Sequence, residues 1–129
     1  MKNILLIDDS KPILDSLSAY LTYFLRDCTI RTADNGRTAV EIMRSVPIDV
    51  ILTDLEMPFM NGFELVAYTK THYPAIPVLV MTGRHSPETE KRAISIGASR
   101  YIVKPFDVDS IKNLIATQLD PGSRPHKSL

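Results

Sequence analysis

Four short apolar runs in this chain stop abruptly at side chains able to do chemistry. Ile4-Leu5-Leu6-Ile7 ends at Asp8 and Asp9, and Val50-Ile51-Leu52 ends at Thr53-Asp54. Val78-Leu79-Val80-Met81 ends at Thr82-Gly83, and Tyr101-Ile102-Val103 ends at Lys104-Pro105. Carboxylates gathered together repel, so they raise one another's pKa or recruit a cation. Hard oxygen donors with no Cys and no neighbouring His favour Mg²⁺ over zinc, with Mn²⁺ as a possible substitute. Mg²⁺ also keeps several waters for a phosphate-bearing partner. Lys104 supplies a mobile point charge suited to a phosphoryl oxygen. Thr82 can donate a hydroxyl hydrogen bond to the same group. The reaction these types suit is phosphoryl transfer onto a carboxylate.

The elements between these residues decide whether they meet. The apolar runs are too short for helices and continuous rather than alternating, as in strands buried on both faces. Thr29-Ile30-Arg31-Thr32 alternates, which predicts an edge strand with one wetter face. Between the runs the period becomes helical. Ile13, Leu14, Leu17, Tyr20, Leu21, Phe24 and Leu25 form one apolar face, with Ser10 as expected N-cap and Pro12 in the first turn. Ala39, Val40, Ile42, Met43 and Val46 make a second face after Asn35-Gly36. A third helix opens after Asn61-Gly62, and a fourth runs from Ser86-Pro87-Glu88 to near Gly97. A fifth carries Ile111, Leu114, Ile115 and Leu119, with Asp107 or Asp109 as its cap.

Strand and helix thus alternate five times, which implies an α/β fold with a parallel sheet, right-handed crossovers and helices on both faces. In such a sheet the carboxyl ends of the strands share one edge, where ligands bind. Asp8, Asp9, Asp54, Thr82 and Lys104 then converge. Asp54, alone at the end of the central strand, is the expected nucleophile, and the Asp8–Asp9 pair is better placed to hold metal. Singly, each residue has an ordinary use: an Asp caps or turns, a lysine is solvated, a threonine satisfies a loop amide. Complementary chemistry at four of five strand ends is not what chance caps arrange.

Composition narrows the class of protein. In 129 residues, 15 Lys and Arg balance 15 Asp and Glu, which argues against nucleic-acid or anionic-membrane binding by bulk charge. A single cysteine, Cys28, excludes an internal disulfide framework and suits the cytoplasm. No apolar run approaches the ~20 residues of a membrane span, and Asp8-Asp9 interrupts the first run too early for a signal-peptide core. His72, His85 and His126 lack metal-ligand spacing. Residues 1–119 are expected to form one domain, and 120–129, with Pro121, Gly122, Ser123 and Pro125, a flexible tail or the start of a linker.

Taken in order, Leu6-Ile7-Asp8-Asp9-Ser10, Thr53-Asp54-Leu55-Glu56-Met57-Pro58 with Asn61-Gly62, Val80-Met81-Thr82-Gly83, and Tyr101-Ile102-Val103-Lys104-Pro105-Phe106 resemble the receiver domain of two-component response regulators. The resemblance covers residues 2 to 119. It implies a flavodoxin-like sheet of order 2-1-3-4-5. It also implies that Asp54 takes a phosphoryl group from a sensor histidine kinase or phosphotransfer protein, self-catalysed and slowly self-reversed rather than enzymatic. Asp9 and Asp54 would bind Mg²⁺ directly with the backbone carbonyl of Glu56, and Asp8 through water. Lys104 would pair with the phosphoryl group. Thr82 would move toward it, and Tyr101 would turn inward, switching the fourth helix, fifth strand and fifth helix. An effector protein or fused output domain would read that face. The resemblance further implies a cis peptide before Pro105.

Two departures carry expectations of their own. Glu56 and Arg84 lie two residues beyond Asp54 and Thr82, and an ion pair between them over the site would slow hydrolysis. Ser99, Arg100 and Leu114 stand where winged-helix members of the family often carry paired acids and a helix arginine, so that dimer mode is not expected. Two other functions share parts of the pattern. A haloacid-dehalogenase-like phosphohydrolase needs a second Asp two residues past its nucleophile, where Ser10 follows Asp8 and Lys11 follows Asp9. A phosphorylation-independent interaction domain of the same fold would have lost one of the key residues.

Overall fold

Successive residues of the first strand go to opposite sides of the sheet. Ile4 and Leu6 pack with Leu14, Leu17, Leu21, Ile111 and Ile115, whereas Leu5 and Ile7 pack with Ala39, Met43, Leu65, Val66 and Ala93. Side chains of a strand alternate, so a strand that is apolar at every position needs helices over both faces. The computed structural model describes residues 1–120 and supplies them. The expected tail lies outside the described residues except for Asp120, the C-cap of the last helix.

In chain order the elements are β1 (Lys2–Ile7), α1 (Lys11–Phe24), β2 (Cys28–Ala33), α2 (Gly36–Ser45), β3 (Val50–Asp54), α3 (Gly62–His72), β4 (Val78–Thr82), α4 (Pro87–Ser95), β5 (Arg100–Val103) and α5 (Val108–Leu119). The five strands pair in parallel in the order β2-β1-β3-β4-β5. This is the flavodoxin-like order implied by the resemblance. All of β3 and β4 is buried, while β2 lies at the edge as expected but is half-exposed along most of its length rather than wet on one face. One apolar core lies under α1 and α5 and the other under α2, α3 and α4.

The helix starts match their sequence signals with one exception. Asn35, Asn61, Ser86 and Asp107 each accept a backbone N–H in the first turn that follows, and Asn61 completes a capping box with Glu64. Ser10 occupies the N-cap of α1, but its side chain makes no cap bond. Instead Asp8 Oδ1 accepts the Ser10 N–H at 2.9 Å, so the helix entrance is held from the strand end. Helix α4 is followed by Gly97 at φ 117°, a left-handed conformation that costs glycine little. Cys28 is a free, half-buried thiol packed against the α1–α5 core. Among the described residues, no helix is long and apolar enough to cross a membrane.

Candidate active site at the carboxyl edge

Register brings the acids together. Ile7 pairs with Thr53, so Asp8 and Asp54 leave adjacent strands side by side. Thr82 pairs with Val103, so Lys104 follows directly beside it. Carboxylate oxygens of Asp8, Asp9 and Asp54 all lie within 4.8 Å of one another. Asp8 is 1% exposed and Asp54 4%, while Asp9 is open to solvent. Between the two buried acids sits the Lys104 ammonium, 3.0 Å from Asp8 Oδ2 and 3.4 Å from Asp54 Oδ2. The Lys104–Pro105 peptide is cis, as the resemblance implies.

Burial, and then the neighbouring Asp8 charge, push the Asp54 carboxyl from its ordinary 3.8 up to about 6, with Lys104 pulling the other way. Burial works against the Lys104 ammonium. Its hydrogen bond to Asp8 and the charges of Asp54 and Asp8 outweigh that, so its pKa stands above the usual lysine value. Near neutral pH Asp54 is therefore mostly ionised beside a charged Lys104. Three oxygen donors of this kind, with no sulfur or imidazole among them, fit a hard divalent cation such as Mg²⁺ or Mn²⁺.

The loop after β3 is pinned at both ends. Leu55 accepts the Gly62 N–H at 3.0 Å, and the Asn61–Glu64 capping box fixes the start of α3. The close approach at Gly62 leaves no room for a side chain, since a Cβ there would meet the Asp54 carbonyl oxygen and come within 2.7 Å of Leu55 Cα. Between these pins Phe59 takes φ 67° and is 98% exposed. Glu56 begins the loop, and its N–H lies 3.4 Å from Asp54 Oδ1.

The expected Glu56–Arg84 ion pair is not formed. Both Glu56 oxygens are occupied: Oε2 accepts the Thr82 hydroxyl at 2.7 Å and Oε1 the Gly83 N–H at 3.0 Å. Arg84 contributes its backbone instead, donating its N–H to Thr82 Oγ1 at 2.9 Å. Thr82 is thus buried beside the site with its hydrogen directed to Glu56. Tyr101, half-buried on β5, has its hydroxyl 3.0 Å from His85 Nδ1. Sequence reading passed over His85, because a single histidine with no spaced partner carries no signal. Only the turn from β4 into α4 sets it against β5.

A parallel sheet in this order, with an acid cluster, a hydroxyl and a lysine on its carboxyl edge, is the arrangement that the resemblance to receiver domains implies. Residues 4–116 match the family model of the response regulator receiver domain, and the chain belongs to that family of two-component systems. Among curated proteins it is 36% identical over 118 residues to a probable cyclic di-GMP phosphodiesterase of Vibrio cholerae, covering 90% of this chain and 26% of that one. It is 32% identical over 119 residues to the regulatory protein AtoC of Escherichia coli, covering 92% and 25%. The chain spans about a quarter of the length of these relatives. Among solved structures, the Vibrio cholerae chemotaxis protein CheY4 aligns with a TM-score of 0.80 and 31% identity, covering 92% of this chain and 99% of that one. The beryllofluoride-activated NtrC4 receiver domain dimer aligns with a TM-score of 0.86 and 32% identity, covering 95% and 100%.

Proposed function

We propose that Asp54 is the phosphoacceptor of this receiver domain and takes its phosphoryl group from a histidine kinase or phosphotransfer protein. The observation that carries this reading is Lys104 lodged between two buried carboxylates, 3.0 Å from Asp8 and 3.4 Å from Asp54, beside a third acid. Asp54 stands at the end of the central strand, and its ionised oxygen attacks phosphorus while the P–N bond of the donor phosphohistidine breaks. Lys104 leaves its contact with Asp54 Oδ2 to pair with a phosphoryl oxygen. Asp8, buried and bonded to Lys104, keeps the ammonium oriented. Thr82 donates its hydroxyl hydrogen to another phosphoryl oxygen. Asp8, Asp9 and Asp54, with the Glu56 backbone carbonyl, would hold Mg²⁺ or Mn²⁺. Such a cation, when bound, neutralises phosphoryl charge.

Movement of Thr82 and Tyr101 then alters the face made by α4, β5 and α5, which an effector protein or fused output domain reads. On this reading residues 1–119 are the receiver and 120–129 a tail or linker. Glu56, which holds Thr82 and Gly83, and Arg84, whose N–H meets Thr82, tune the lifetime of the phosphoryl group through these contacts rather than through an ion pair. Transfer is self-catalysed and slow self-hydrolysis follows, so the domain is a switch rather than an enzyme. Neutral overall charge supports a protein partner over nucleic acid or membrane, and kinase partners together with the unpaired Cys28 support a cytoplasmic setting.

The test is incubation with acetyl phosphate and Mg²⁺, followed by intact-mass measurement of wild type and Asp54→Ala. A single phosphoryl gain in wild type alone is expected. Equal gain in the variant would move the acceptor elsewhere, and steady turnover without a gain would make the protein a hydrolase.

A further inference from the structure

The Glu56 side chain is turned onto the β4–α4 connection. One carboxylate there engages the Thr82 hydroxyl at 2.7 Å and the Gly83 N–H at 3.0 Å, and Thr82 Oγ1 in turn accepts the Arg84 N–H at 2.9 Å. A hydroxyl has a single hydrogen to give. In this state Thr82 has given it to an anion two residues beyond Asp54, and a phosphoryl group on Asp54 would require that same hydrogen. Bonds to ionised acceptors are the stronger kind, so the exchange is contested rather than free. Thr82 is fully buried, which leaves water little access to take over from either acceptor.

We propose that Glu56 is a built-in competitor of the phosphoryl group: its carboxylate holds Thr82 and Gly83 in the unphosphorylated position, and switching replaces one anionic acceptor by another. The proposal rests on reading Asp54 as the phosphoacceptor and adds how that site is regulated. The restraint extends along the loop. His85, next after the held residues, meets the Tyr101 hydroxyl at 3.0 Å, and Ser86 caps α4 by accepting the Thr89 N–H at 3.0 Å. Release of Glu56 therefore loosens a continuous stretch from Thr82 to the start of α4, and with it the hold on Tyr101. Glu56 is a positioning residue in this scheme, acting through Thr82 and Gly83.

Beryllofluoride with Mg²⁺, a phosphoryl analogue, titrated against the 129-residue chain and followed by amide NMR, reads the competition. Glu56→Ala is expected to bind it about three- to tenfold more tightly than wild type, the worth of one released hydrogen bond. Length and charge are separated by two further variants. Glu56→Asp keeps the charge but is one methylene short of both donors, so it should behave like the Ala variant. Glu56→Gln loses the charge but keeps one acceptor oxygen, so it should fall between Ala and wild type. Gln equal to Ala with Asp equal to wild type would make the effect one of charge alone and overturn the proposal, as would equal affinities throughout. In metal-free protein without beryllofluoride, the Gly83 amide resonance should move upfield in the Ala and Asp variants; an unmoved resonance overturns the contact itself. Asp54→Ala is the control for the underlying reading. Undiminished binding by that variant removes the phosphoacceptor assignment and this proposal with it. Asp54-dependent binding with no Glu56 effect removes the competition alone.

Discussion

The Lys104 ammonium lies 3.0 Å from Asp8 Oδ2, nearer than its 3.4 Å to Asp54, although 96 positions of sequence separate lysine and Asp8. The contact joins the strand end of β1 to that of β5 across the top of the sheet. It ties down Asp8, which is 1% exposed, while leaving the bond to Asp54 the longer of the two. A lysine so placed is anchored through Asp8 and can still turn to an incoming group at Asp54.

Removing that cation should be costly. Lys104→Ala leaves two buried carboxylates without their counter-charge, and a deserted buried charge costs more than its pair contributed. Breaking a fully buried pair costs about 3–5 kcal/mol, and because Lys104 itself reaches solvent the expected loss here is about 2–3 kcal/mol. Urea unfolding in chelator checks it, and Mg²⁺ should restore part of the loss by supplying the missing positive charge.

The Asp54 carboxyl makes stability pH-dependent with a definite sign. Its folded-state pKa, about 6, lies above its ordinary 3.8, so the folded protein binds more protons than the unfolded chain between those values. Metal-free stability from this group is therefore present below about pH 4 and lost as pH rises through 6. Asp54→Asn should be more stable than wild type by about 2 kcal/mol above pH 7, and the gap should close on acidification. Denaturation of both proteins across pH 4–8 in chelator measures this, and a constant gap would refute it.

Asp9 is the exposed member of the acid cluster and, among the described residues, has no partner as close as Asp8 has in Lys104. Its removal relieves repulsion without opening a cavity. In chelator, Asp9→Ala should be neutral or stabilise by up to about 0.5 kcal/mol. The rise in Tm that Mg²⁺ gives wild type should be largely absent in the variant. Thermal melts with and without Mg²⁺ decide both, and marked destabilisation without metal would count against the clustering.

Gly62 permits the chain to pass against the backbone of Asp54 and Leu55. Gly62→Ala puts a Cβ onto the Asp54 carbonyl oxygen and 2.7 Å from Leu55 Cα, and neither is the end of a flexible side chain. A loss of about 2–3 kcal/mol is expected by urea unfolding, together with a displaced Asp54 and weaker Mg²⁺ binding.

What could be read in the chain, and what could not, divides along physical lines. Continuous apolar runs between helical periods force a parallel sheet with two covered faces, because backbone periodicity and burial are local properties of sequence. The carboxyl edge follows from that, and with it the meeting of Asp8, Asp9, Asp54, Thr82 and Lys104. The cap at Ser86 was equally legible, and Asp107 was one of two candidates, whereas Asn35 and Asn61, read only as the Asn-Gly pairs before their helices, turned out to be caps as well. Side-chain choices among competing partners were not. Glu56 had Arg84 as its obvious opposite charge, and the folded loop gave it a hydroxyl and an amide instead. Ser10 had the cap position, but its side chain caps nothing and its own N–H is bound by Asp8. His85 met Tyr101 because β4 and β5 are neighbours in space. Periodicity thus determined the α/β class and which residues share an edge of the sheet, while the strand order came from the family resemblance. Tertiary structure decided which donor each acid holds, since that depends on loop geometry and on distances of an ångström or less.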